Sequence, residues 1–267
     1  MNTRQFHFKE AVLHFGVYPG GKKVLLAFHG FGQSQGHFSS MAAALAKEYT
    51  LYSFDLFYHG RSLWPDSRQP ISKDFWKEMM EGFLKQEEIE QFSLISFSLG
   101  GKFALATFEA FPQKTKELFL IAPDGISTSF WYNMATYPSW ARNYFLKVVE
   151  EPESLFRLFR LFRKFQLIDK GILRFAEYQM SNRHQREKVY NSWVMSRALR
   201  FDMTQIASLI NRHKVKVKMY LGRYDRLMTE RNMQKLLRHL HDYELEILNK
   251  GHYMLIEDVA RFIRNNR

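Results

Sequence analysis

The stretch LISFSLGGKF, residues 94–103, runs an apolar segment into two serines, two glycines and a lysine. The order strand, Ser-x-Ser-x-Gly-Gly, helix suits a nucleophile. A serine on a sharp strand-to-helix turn is lifted above a sheet, and the next backbone N–H points toward the new helix's N-terminus. Ser98 holds that position. Ser96 falls earlier, within the strand, which is the wrong place for an exposed hydroxyl; the bland alternative is that both serines are structural. Strand and helix pass closely here, so small residues are needed two before and two after the nucleophile. Gly100 meets that need, and Ser96 adds only a hydroxymethyl, whose oxygen requires a partner.

A serine hydroxyl attacks a carbonyl only with a base beside it and an acid to orient the base. His252, in NKGHYML, follows the last strand-like segment, with Gly251 leaving room. The chain has ten histidines, and position separates this one, because a base must reach the serine across the top of a sheet. His239 and His241, in RHLHD, end a helical pattern among charges and make a weak case for metal binding. Asp225, in YLGRYDRLM, can hold the second imidazole nitrogen. Its rival is Asp124, in IAPDGI, also at a strand end, although an Asp-Gly pair makes an ordinary turn. Asp225 is favoured and Asp124 stays open. In FHGFGQS, residues 28–34, Gly30 and Gly32 let the backbone turn so that the Phe31 N–H faces a reacting carbonyl oxygen. With the Leu99 N–H it would form a two-donor oxyanion hole.

These residues need a scaffold that gathers them on one edge. RQFHFKEAVLHFGVYP reads as an opening hairpin, and KKVLLAFHG, TLYSFD, FSLISFS, KELFLIAP, VKVKMYLG and YELEILN as further strands. Helical patterns alternate with them: FSSMAAALAKE, SKDFWKEMMEGFLKQ with Ser72 as N-cap, LGGKFALATFEAF before Pro112, ERNMQKLLRHL, and YMLIEDVARFIRN. The alternation predicts an α/β fold, a mostly parallel, doubly wound sheet with helices on both faces. In such a sheet ligands bind at the carboxyl ends of the strands. Residues 126–200 break the rhythm with several helices and no good strand, an all-helical insertion between a core of 1–125 and 201–267. Its centre, LFRLFRLFRKF (155–165), repeats every three residues, so a helix spreads its arginines over a broad arc.

With AFHGFGQS, DLFYHGRS, SFSLGG, LGRYDRLM and KGHYMLIED in this order, the chain resembles the α/β-hydrolase family. The order Ser98, Asp225, His252 matches that family's Ser…Asp/Glu…His. The resemblance implies that the helical insertion is a cap over the active site. Ser96 departs from a usual glycine, and Tyr58 stands where relatives of DLFYHGRS usually carry glycine, which leaves the path of that loop and any substrate role of Tyr58 open. A serine nucleophile argues against the dehalogenase and epoxide-hydrolase branches, which use aspartate. It leaves esterases, lipases, thioesterases, amidases, carbon–carbon bond hydrolases and a lyase branch of menaquinone synthesis. Lys102 follows SLGG where that lyase carries an arginine for its anionic substrate; otherwise Lys102 is a solvated helix residue. The implied function is a serine hydrolase of a carboxylic ester or thioester, with Gly30, Gly32, Tyr58 and Lys102 as candidate substrate contacts and no cofactor or metal. A binding protein without catalysis is the remaining class, and an intact triad argues against it.

Composition narrows the partners. The charged share of 25% and hydrophobic share of 46% are those of a soluble globular protein. No apolar run approaches the length needed to span a bilayer, and the first 20 residues lack a continuous signal-type core. Zero cysteines exclude disulfides and thiolate catalysis, and the cytoplasm is the default compartment. The net charge is +12, of which residues 126–200 hold 13 Lys+Arg against 6 Asp+Glu, with 15 aromatics including Trp131, Trp140 and Trp193. That composition predicts a small-molecule substrate, an apolar or aromatic acyl ester, with a cationic rim suited to negative charge. No nucleic-acid motif appears, so nucleic acid is not expected.

Overall fold

The computed structural model describes residues 1–65, 69–127, 130–165, 173 and 177–266. The chain divides into two compact units: Met1–Pro65, Ser72–Ser127 and Leu199–Arg267 form the first, and Asp66–Ile71 with Thr128–Ala198 the second.

The first unit opens with an antiparallel hairpin, β1 (Asn2–Phe8) and β2 (Ala11–Tyr18). Then follow β3 (Lys23–Phe28), a short 3-10 turn, α1 (Ser39–Leu45), β4 (Tyr49–Phe54), α2 (Lys73–Gln86), β5 (Phe92–Phe97), α3 (Gly100–Ala110) and β6 (Thr115–Ile121). The eight-stranded sheet has the order β1-β2-β4-β3-β5-β6, continued by β7 (Lys216–Gly222) and β8 (Glu244–Leu248). β2 pairs antiparallel with β4, and from β4 to β8 every pairing is parallel. All six side chains of β5, FSLISF, are buried, as expected of a central strand covered on both faces.

Local chemistry sets the helix ends. Ser72 caps α2, its Oγ accepting the Phe75 N–H at 3.1 Å. α2 and α3 are pinned together where Trp76 Nε1 donates to Thr107 Oγ1 at 2.9 Å. Phe28, Phe54 and Phe103 stack beside Trp76, so aromatic packing fills the space between sheet and helices.

The second unit is helical among its described residues: α4 (Phe130–Thr136), α5 (Ser139–Glu150), α6 (Glu153–Lys164) and α7 (Arg183–Ser196). α5 buries Ala141, Phe145, Val148 and Val149, the stripe of an amphipathic helix. Phe145 meets Tyr190 and Trp193 of α7. Arg186 is buried, its Nε donating to Val149 O and its Nη1 to Met180 O. This unit takes in 69–71, which the sequence reading left in the core; the Ile71 N–H bonds to Met195 O at 2.9 Å, beyond the reach of local pattern. Parts of the expected cap, 128–129, 166–172 and 174–176, lie outside the described residues, as does the Trp131 side chain.

The chain returns to the first unit through α8 (Met203–His213), β7, α9 (Glu230–Leu237), β8 and α10 (Leu255–Asn265).

Candidate active site

Four loops at the carboxyl ends of β3, β5, β7 and β8 carry Phe31, Ser98 with Leu99, Asp225 and His252, at the edge where parallel sheets present ligand sites. The turn after β5 is tight. Ser98 has φ 48°, a strained value for a residue with a side chain. Its carbonyl accepts the N–H groups of Gly101 and Asp124, each at 2.8 Å, which holds the strain in place. A Cβ on Gly100 would stand 1.9 Å from the Phe28 carbonyl oxygen, so only glycine fits between α3 and β3. Ser96 fits within the buried strand, but its Oγ has no hydrogen-bond partner among the described residues. The partner expected for that hydroxyl is therefore missing.

The loops after β7 and β8 are laced together. Arg223 N–H donates to Leu248 O at 2.8 Å and Tyr224 N–H to Lys250 O at 2.9 Å. This brings Asp225 against His252: Asp225 Oδ2 lies 2.6 Å from His252 Nδ1, with side-chain exposures of 0% and 14%. The second oxygen, Oδ1, accepts the N–H groups of Leu227 and Met228 at 2.8 and 3.0 Å. Three donors thus converge on one buried carboxylate and fix its orientation. With the Nδ1 proton directed at Asp225, Nε2 is left as acceptor, 3.0 Å from Ser98 Oγ. The Phe97 ring centroid lies 4.9 Å from that of the imidazole, the planes tilted by 32°.

Asp124 is not part of this chain. Its Oδ1 accepts the Gly125 N–H at 2.7 Å, the ordinary Asp-Gly turn, and its Oδ2 faces Lys102 Nζ at 3.7 Å. Lys102 itself is 2% exposed, so the solvated reading of it is wrong. α3 carries its ammonium under the loop after β6, where it meets Asp124.

In the loop after β3, Gly30 N–H donates to Gln33 Oε1 at 3.0 Å and Gln33 N–H returns to Gly30 O at 3.2 Å. Gly32 has φ 79°, where glycine is at ease. Phe31 stands edge-on to His59, with centroids 5.1 Å apart. Tyr58 has φ 63°, a left-handed value at which a residue with a side chain is strained and glycine is at ease.

Sequence reasoning missed three positioning residues. His29 is buried, its Nε2 accepting the Leu56 N–H at 3.0 Å, which ties the β3 and β4 loops. Gln33 closes the β3 turn described above. Asp55 is buried and accepts the N–H groups of Gln35 and Arg61 at 2.7 and 3.0 Å. The only sequence signal was their presence in the quoted loops. Among the described residues no group of three His, Cys, Asp or Glu could hold a metal ion.

The model of the alpha/beta hydrolase fold family matches residues 23–259. An uncharacterized protein of Mycobacterium tuberculosis is 28% identical over 121 residues, 45% of this chain and 35% of that protein. A candidate esterase/lipase of Mycoplasma genitalium is 29% identical over 113 residues, 42% of this chain and 41% of that protein. The matches thus span well under half the length of these curated relatives. Among solved structures, a thermophilic esterase from Thermogutta terrifontis superposes with a TM-score of 0.68 at 16% identity, over 100% of this chain and 97% of that one. The family model spans all but the first hairpin and the last helical turns, and the sheet order and strand-end loops follow the same plan: the chain belongs to the α/β-hydrolase fold family.

Proposed function

We propose that the protein is a serine hydrolase that cleaves a small carboxylic ester or thioester through an acyl-enzyme, with Ser98, His252 and Asp225 as its catalytic residues. The observation that carries this reading is the continuous contact chain Ser98 Oγ, His252 Nε2, His252 Nδ1, Asp225 Oδ2, at 3.0 and 2.6 Å.

Ser98 Oγ attacks the acyl carbon while His252 Nε2 takes the hydroxyl proton. The carbonyl electrons move onto oxygen, where the N–H groups of Phe31 and Leu99 receive the charge. Collapse breaks the bond to the alkoxide or thiolate, which leaves with the proton from His252. Water then attacks the acyl-Ser98 ester and gives its proton to His252. A second collapse frees the carboxylic acid and returns that proton to Ser98. Asp225 keeps Nδ1 protonated and stabilises the imidazolium formed in each half.

The aromatic and cationic composition of 126–200 favours an apolar or aromatic acyl group bearing or adjoining negative charge, with the helical unit as cap. The lyase alternative drew on Lys102 and on the basic composition of 126–200; the Lys102 ammonium is buried beside Asp124, and the basic composition does not separate it from hydrolysis of an anionic ester.

Turnover of p-nitrophenyl esters across acyl chain lengths tests the reading, together with labelling by a fluorophosphonate. Hydrolysis with labelling confined to Ser98 is expected. Absence of turnover, of a burst and of labelling would reject it.

A further inference from the structure

The repeat LFRLFRLFRKF has no part in the proposed reaction, yet it builds most of α6. Each step of three residues turns an α-helix about 60° short of a full circle. Arg157, Arg160 and Arg163 therefore cover an arc of about 120°, with Lys164 and Glu153 inside it. The face outside this arc packs inward through Phe159, with Leu155 half-buried; Phe156, also half-buried, falls within the arc between Arg160 and Arg163. Between these faces the helix leaves an apolar shoulder in water: Leu161 is 50% exposed and Phe165, just past the last turn, 61%. Arg163 is engaged by Glu177, with Nη2 to Oε2 at 2.6 Å. Among the described residues, no carboxylate pairs with Arg157, Arg160 or Lys164.

An exposed apolar shoulder beside a cationic arc is the pattern of a helix that lies in the plane of a lipid surface. Leu161 and Phe165 would enter the acyl boundary while the cations meet headgroup phosphates. Charge selects the lipid: the chain carries +12 overall, which favours an anionic over a zwitterionic surface. The same unit also exposes Trp140, Tyr144 and Tyr178, rings with one polar atom that suit a membrane–water boundary. A nucleic acid or an acidic protein would engage the cations alone and leave the shoulder wet. No helix among the described residues is long and apolar enough to cross a membrane, so this surface rests on the bilayer without spanning it.

We infer that α6 docks the protein reversibly onto an anionic lipid surface. The inference is independent of the ester-hydrolase reading. The test is co-sedimentation of the full chain with vesicles of phosphatidylcholine alone, or of phosphatidylcholine mixed with phosphatidylglycerol. Binding to the mixed vesicles only is expected, weakening as salt rises. The triple variant Arg157→Ala, Arg160→Ala, Lys164→Ala should lower partitioning about 100-fold. The double variant Arg157→Lys, Arg160→Lys should keep it, which separates lost charge from lost folding. Leu161→Ser with Phe165→Ser should weaken binding with charge unchanged. Equal binding to both vesicles, binding to neither, or binding that survives the triple variant overturns the inference. So does binding indifferent to Leu161→Ser/Phe165→Ser together with affinity for a duplex oligonucleotide lost in the triple variant, which reassigns the arc to nucleic acid.

Discussion

The Asp124 backbone N–H donates to the Ser98 carbonyl at 2.8 Å, while the Asp124 carboxylate lies with Lys102 and Gly125 and away from His252. Asp124 thus supports the turn that carries Ser98 through its backbone, and Asp225 alone of the two acids meets the imidazole.

Asp225→Asn should lower kcat for a p-nitrophenyl ester about 10⁴-fold, because an amide no longer holds the Nδ1 proton in place. Asp124→Asn keeps the backbone bond and an oxygen for Gly125, so its kcat should fall far less. Steady-state kinetics of the two variants decide the matter. The reverse order of effects would make Asp124 the acid.

Ser96→Ala removes a buried hydroxyl that lacks a partner among the described residues and keeps the Cβ that the strand already accommodates. It should raise stability by about 1 kcal/mol in denaturant unfolding, the low end of the cost of an unmade hydrogen bond. Fluorophosphonate labelling should persist. A loss of stability would show that the hydroxyl has a partner, and a loss of labelling would implicate Ser96 in the chemistry.

Lys102→Met breaks a buried pair and leaves the Asp124 carboxylate without its cation. A loss of about 3 kcal/mol is expected, the lower end for such breakage, since Asp124 keeps some contact with solvent. KM for an anionic ester should change no more than KM for its neutral analogue. A rise confined to the anionic ester would restore Lys102 as a substrate contact.

Tyr58→Gly and Tyr58→Ala both delete the ring, but only glycine relieves the left-handed backbone at φ 63°. The glycine variant should be the more stable by about 1 kcal/mol. Chemical denaturation of the pair measures the difference directly, and equal midpoints would mean that the loop is not strained there.

The strands, the helices and the Ser72 cap were legible in the sequence because each depends on neighbours a few residues away: an apolar run, a turn residue, a side chain that reaches its own helix start. Ser98 and His252 were legible for the same reason, each following a strand and preceding a helix. Asp225 could be favoured over Asp124, which sits in an Asp-Gly turn, but not chosen outright, and the charge and aromatic content of the helical insertion could simply be counted.

What depends on distant neighbours was not legible. His29 and Asp55 owe their roles to bonds that cross between loops, and nothing local marks them as buried. Lys102 looks like any surface lysine until α3 presses it beneath the loop after β6. Likewise the choice between Asp124 and Asp225 turns on which strand end faces His252. Ser98 and His252 are 154 residues apart, and only the side-by-side order β5-β6-β7-β8 brings their loops to one edge. Local propensity can specify each strand, but strand order is decided by burial summed over the whole sheet, so contact between the three residues is a property of the packed fold.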